Sequence, residues 1–105
     1  MIIYIDSYKN VITNITREIF KDFGKDRKFT ICFRNPDYNI SLIHQNYHDV
    51  AVGERLALFT SGGFLEIAIN NGTAASLLGL KLGEIIRIEF HDTKNDKNRK
   101  NDLST

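Results

Sequence analysis

Apolar residues recur along this chain at two different periods, and the switch between them sets out the elements. From Ile2 to Tyr8 they alternate, with Ile3 and Ile5 on one face and Ile2 and Tyr4 on the other, which is the period of a strand. Asn14 or Thr16 then has the chemistry of a helix N-cap. Ile15, Ile19, Phe20 and Phe23 follow at helical spacing, and Gly24 ends the run. Phe29, Ile31 and Phe33 alternate with Thr30, Cys32 and Arg34, which predicts a half-buried strand, and Asn35-Pro36-Asp37 is a turn. Further strands are predicted over Ile40 to His44 and Arg55 to Thr60, with Val52-Gly53-Glu54 turning into the second. Ser61-Gly62-Gly63 makes a tight hairpin into Phe64 to Ile69. Thr73 can cap a short helix over Ala74 to Leu78 that Gly79 closes. Lys81-Leu82-Gly83-Glu84 turns into a last strand, Ile85 to Phe90.

Strands this short and this regularly spaced, with only two brief helices, indicate an all-β barrel or sandwich. A small compact β-barrel over residues 1–90 is the expectation. From His91 onward apolar residues almost vanish. The last fourteen residues, from Asp92, carry four Lys/Arg and three Asp with Leu103 alone apolar, so residues 91–105 are expected to form a disordered polar tail. Its mixed charge and lack of aromatics favour a solvated tail over a phosphate-binding one.

Composition narrows the function classes. At 105 residues the chain holds one domain, near the lower end of comfortable stability. Fourteen Lys+Arg face thirteen Asp+Glu, so nothing argues for a nucleic-acid partner. The lone Cys32 excludes an internal disulfide and fits a reducing, cytoplasmic setting. No apolar run approaches membrane-spanning length and no signal peptide precedes the first strand, so no membrane partner is expected. The abrupt start inside a strand suits a piece cut from something longer. His44 and His48 stand four apart, but no Glu follows His44 and no third ligand is evident, so no metal site is expected. Cys32 has no basic neighbour at a telling spacing and is not expected to be a nucleophile. Gly-rich phosphate loops, Ser-His-Asp patterns and the Gly-rich strand-to-helix turn of Rossmann methyltransferases are absent.

What remains is two stretches in which short polar residues and glycines interrupt or flank apolar strands, the way a sheet presents hydrogen-bonding groups to a flat ligand. The first is Asp6-Ser7-Tyr8-Lys9-Asn10-Val11-Ile12-Thr13-Asn14-Ile15, and the second runs from Ser61-Gly62-Gly63-Phe64-Leu65-Glu66-Ile67-Ala68 through Asn70-Asn71-Gly72-Thr73-Ala74-Ala75 to Gly83-Glu84. Tyr47-His48-Asp49-Val50 stands between them. In this order and at these separations the motifs resemble the C-terminal domain of the S-adenosylmethionine hydroxide adenosyltransferases, the SAM hydrolase family that also holds the fluorinases and chlorinases. The match spans Ile2 to about Ile88. His48 stands where the family usually has alanine.

The resemblance implies a barrel that follows a larger α/β N-terminal domain. It also implies a trimer in which S-adenosylmethionine lies between the N-terminal domain of one subunit and the barrel of its neighbour. S-adenosylmethionine would be the substrate, with no further cofactor. Water would cleave it to adenosine and methionine, and the groups that orient the water have no counterpart here, so no catalytic residue is expected in this chain. By resemblance Asp6 would pair with the methionine ammonium, a charge-assisted bond; the other reading is a turn residue bonding nearby N–H groups. Tyr8 and Tyr47 would pack against the adenine, although either tyrosine taken alone reads as core. Asn10 can donate and accept together, which suits the adenine edge, and it also suits a turn at Lys9-Asn10.

Ser61 and Gly62 would approach the methionine carboxylate and the ribose. Gly62 stands where the fluorinase-like members have arginine, so the double glycine resembles the hydrolase branch. Asn70, Asn71 and Gly72 would meet the adenine through backbone groups, and Gly72 also suits a plain turn into a helix. A stacked adenine and three or four hydrogen bonds supply at most about 9 kcal/mol, against several kcal/mol of lost ligand freedom. The domain alone is therefore expected to bind at about millimolar or weaker. Catalysis is expected to need the N-terminal domain, in cis or in trans. The other reading is a non-catalytic interaction or assembly module left by a split or truncated gene.

Overall fold

In the computed structural model, which describes residues 1–92, the opening motif is a hairpin. β1 (Ile2–Ile5) pairs antiparallel with β2 (Val11–Thr16), with Ile5 opposite Val11. The sequence predicts one strand through Tyr8 and reads the segment after it as the approach to a helix. Instead Asp6 turns the chain. Its Oδ1 accepts from the backbone N–H groups of Tyr8 and Asn10, both at 2.9 Å, and Lys9 adopts φ 65°. That Asx geometry reverses the chain in a few residues.

Helix α1 (Arg17–Gly24) follows β2 directly. Of the two N-cap candidates Thr16 serves, its Oγ1 accepting from Ile19 N at 3.1 Å. The left-handed residue at the helix end is Lys25, not Gly24. Gly24 is buried, and a Cβ there would stand 2.8 Å from the Phe90 ring, so glycine is required by packing. β3 (Lys28–Cys32) and β6 (Arg87–His91) form a separate antiparallel pair with Phe29 opposite Phe90. Phe20 of α1 packs edge-on against Phe29, Phe59 and Phe90 at centroid distances of 5.0–5.6 Å, which fixes the helix to both sheets.

β4 (Arg55–Phe59) and β5 (Phe64–Ile69) make the expected hairpin, and the main sheet runs β1-β2-β5-β4. α2 (Ala74–Leu77) is closed as expected. Gly79 is left-handed, and Leu80 N–H bonds Ala75 O at 2.8 Å, the six-to-one bond of a Schellman end. Thr73 occupies the N-cap of α2 without a side-chain bond, and Ala75 N–H instead reaches Lys9 O at 2.9 Å.

Over the described residues the protein is thus mostly β with two short helices, but its two sheets do not close into the expected barrel. The predicted strand over Ile40 to His44 is the reason. Ile40 bridges Ile31 of β3 and Ile43 bridges Ala57 of β4, so this segment crosses between the sheets and runs along neither. On the other side Ile2 exchanges bonds with Gly83 and Glu84, not with a full strand. The main core lies between the sheets around Ile2, Val11, Ile31, Leu65 and Ile67, and a smaller one of Leu56, Leu58, Ala68 and Val50 covers the opposite face of β4 and β5. β6 extends through His91, and the expected tail lies, from residue 93 on, outside the described residues.

Candidate functional site

The antiparallel register brings two turns to one end of the main sheet. Val11 opens β2 opposite Ile67, near the end of β5, so the β1–β2 turn and the β5–α2 connection are neighbours. Between them lies an open depression of about 960 Å³. The first turn contributes Asp6, Ser7, Tyr8 and Asn10; the second contributes Ile69 to Thr73. A third segment, residues 47–52, supplies Tyr47, His48 and Val52.

Asp6 and Asn10 both build the turn, and both line the depression. Asp6 Oδ1 holds the turn, and the residue lines the depression. Asn10 closes the turn through its backbone, its carbonyl accepting from Asp6 N–H at 3.0 Å, while its residue lines the cavity and is nearly buried. Tyr8 is not core: it is 76% exposed, a ring standing at the rim.

Asn70 has a structural part beside its place in the lining. Its N–H donates to Glu54 O, its carbonyl accepts from Gly53 N–H, and its Nδ2 donates to Val50 O at 2.9 Å. These three bonds clamp the 50–54 segment to the end of β5, so Asn70 shapes the cavity more than it offers backbone groups to a ligand. Asn71 takes a left-handed φ of 57°, and Gly72 N–H bonds Ile69 O. A Cβ on Gly72 would stand 2.6 Å from Ile69 Cγ2, which sets the closeness of this turn.

Ser61 and Gly62 stand apart. They are exposed in the β4–β5 turn, where Thr60 Oγ1 accepts from Phe64 N–H, at the far end of β5 from Asn70. Five residue steps of strand separate the two ends, about 17 Å. Only an extended ligand could meet both.

One residue had no part in the sequence-based site. Glu66, in the middle of β5, is only 4% exposed, and its Oε2 accepts from the Tyr47 hydroxyl at 2.7 Å. Burial pushes the Glu66 carboxyl above the usual carboxylate range, the Asp6 charge adds to this, and the Tyr47 bond opposes it. Burial likewise raises the Tyr47 hydroxyl, reinforced by its bond to Glu66 and by the charges of Glu66 and Asp6. Tyr47 itself sits on a single 3₁₀ turn, Tyr47–Asp49, whose Asp49 carboxylate accepts from the N–H groups of Gln45 and Asn46. Those two bonds hold the Asp49 carboxyl below its usual range.

The turn, the tyrosine segment and the β5–α2 connection therefore meet in the order in which the motifs run along the chain. The family model of the SAM hydroxide adenosyltransferase C-terminal domain matches residues 1–87. The chain belongs to this family. Among solved structures it is similar to an uncharacterized conserved protein from Thermotoga maritima, at 33% identity and a TM-score of 0.65, over 81% of this chain and 32% of that one. A conserved hypothetical protein from Thermus thermophilus shares the fold at a TM-score of 0.63 and 23% identity, over 86% of this chain and 33% of that one. The chain thus spans about a third of the length of these two solved relatives. Every residue that lines the depression falls within the matched residues 1–87. Among the described residues no helix is long and apolar enough to cross a membrane.

Proposed function

We propose that this chain is the nucleoside-holding half of an S-adenosylmethionine hydrolase site. The carrying observation is that Asp6, Tyr8, Asn10, Tyr47 and the Asn70–Gly72 turn, drawn from three separate segments, line one open depression. Two tyrosines and an amide at its wall suit a purine, which offers a flat face and a mixed donor–acceptor edge. The Asp6 carboxylate suits the cationic methionine end.

In the complete enzyme a water oxygen would bond to the ribose C5′ as the C5′–S bond breaks. The electron pair would go to the methionine sulfur, and the water's proton would leave to solvent. This chain's part is to orient the adenosyl group and exclude water from its face. The nucleophile is held by an N-terminal domain of the same family, in cis or in trans. Assembly is as a homotrimer in the cytoplasm.

The test is titration of S-adenosylmethionine and adenosine into the purified chain, followed by NMR. Shifts confined to Tyr8, Asn10, Tyr47 and Asn70–Gly72, saturating at about millimolar concentration, are expected. Shifts elsewhere, or none with either ligand, would sink the reading.

A further inference from the structure

We infer that Glu66 is a positioning residue for this site: through the Tyr47 hydroxyl it holds that side chain in one χ1 rotamer, which keeps the ring in the cavity wall where a purine can pack against it. The inference rests on the functional reading above and says how one wall of that site is set.

Glu66 is placed by the sheet. β5 is paired on both sides, and Glu66 lies opposite Ile12 of β2 and Leu58 of β4. Its backbone cannot shift without breaking two ladders. Its side chain lies on the same face as Leu58, beneath the segment that carries Tyr47 and Val50. A carboxylate so buried is costly unless it is bonded, and the Tyr47 hydroxyl provides the bond at 2.7 Å.

Tyr47 is placed by much less. Its segment touches the sheets through the Ile43 bridge on one side and the Asn70 clamp at Val50–Glu54 on the other, with a single 3₁₀ turn between. The residue is 38% exposed, so packing alone does not settle its rotamer. The tyrosine hydroxyl lies on the Cβ–Cγ axis, so holding its oxygen in place selects χ1, the rotamer that sets where the ring stands, once the backbone is set. The sheet therefore sets the position of the ring and the direction of its long axis through one hydrogen bond. A ring already held in place loses little freedom when a base stacks on it, and that pre-organisation is a gain in affinity.

The test compares Tyr47→Phe, Glu66→Gln and Glu66→Leu with the unaltered chain, with adenosine as probe and NMR as readout. Without ligand, side-chain couplings should report one rotamer at position 47 in the unaltered chain and in Glu66→Gln, whose amide oxygen still accepts. The other two variants should show averaged rotamers. Adenosine should bind those two about two- to tenfold more weakly, the cost of ordering one side chain, with Glu66→Gln unchanged. A ring in Tyr47→Phe that keeps one rotamer and full affinity overturns the inference, as does a Glu66→Gln variant as loose as Glu66→Leu. If a Glu66 variant fails to fold, Tyr47→Phe, which removes one hydroxyl, decides alone. Absence of adenosine binding to the unaltered chain overturns the functional reading, whereas the ligand-free rotamers still decide whether Glu66 sets the ring.

Discussion

Glu66 shows what a single side chain can hide from the sequence. Phe64 to Ile69 has the spacing of a strand with one wetted face, on which a lone glutamate reads as a solvent group. It is buried because Val50 and Tyr47 fold over that face, and no local pattern announces a covering segment nearly twenty residues away. The burial has a pH signature. A carboxyl whose folded pKa is raised gives stability that is complete below its unfolded pKa and lost as pH rises through the folded one. Thermal melts from about pH 4 to about pH 7 should therefore show the unaltered chain losing ground to Glu66→Gln as pH rises, with the gap vanishing at the acid end. Parallel curves across that range would mean the carboxyl is not desolvated. Gly72 is a second case: the sequence reads it as a ligand-facing or helix-entry glycine, and the structure adds its close approach to Ile69. Gly72→Ala would drive a Cβ into Ile69, 2.6 Å from its Cγ2, and should destabilise by about 1–3 kcal/mol. Much of that loss should disappear in an Ile69→Ala background, and a double-mutant cycle in denaturant checks the coupling.

At the scale of elements, strands bounded by clear punctuation were readable and those bounded by side-chain chemistry were not. The β4–β5 hairpin and α2 lie where glycine spacing put them. β2 was missed because Val11 to Thr16 mixes apolar and short polar residues without strict alternation, and because the Asp6 turn that separates it from β1 uses a lysine, not a glycine, at positive φ. The Ile40 to His44 prediction failed for a different reason. Two apolar positions three apart, Ile40 and Ile43, face different sheets, so alternation gave no warning that the backbone crosses between them. Where β2 ends, the handover to α1 rests on Thr16, whose Oγ1 satisfies one of the helix's free N–H groups. Thr16→Ala should cost about 0.5–2 kcal/mol, and Thr16→Ser should recover most of it. Urea midpoints for the pair measure the cap directly, and equal midpoints would show that Phe20 packing alone holds the helix.

For the molecule as a whole, the site is half a container. Tyr8 and Val52 on its rim are 76% and 72% exposed, an arrangement that leaves a stacked base open to water on one side. The resemblance to one domain of a larger family leads to the same expectation, and the chain spans about a third of each solved relative. A base covered on one face gains about 1–3 kcal/mol from stacking, too little to offset the lost freedom of the ligand by itself. Enclosing the other face removes that exposure and strengthens every polar contact inside. The isolated chain should therefore bind S-adenosylmethionine at about millimolar strength or weaker and release no adenosine from it. Supplying the N-terminal domain of the same family should tighten binding by at least about tenfold, roughly 1.4 kcal/mol, and restore adenosine release. Calorimetry gives the first quantity and chromatography of the nucleoside the second. Tight binding by the isolated chain, with light scattering showing a self-associated species, would mean instead that a second copy closes the cavity and that the missing wall comes from the chain itself.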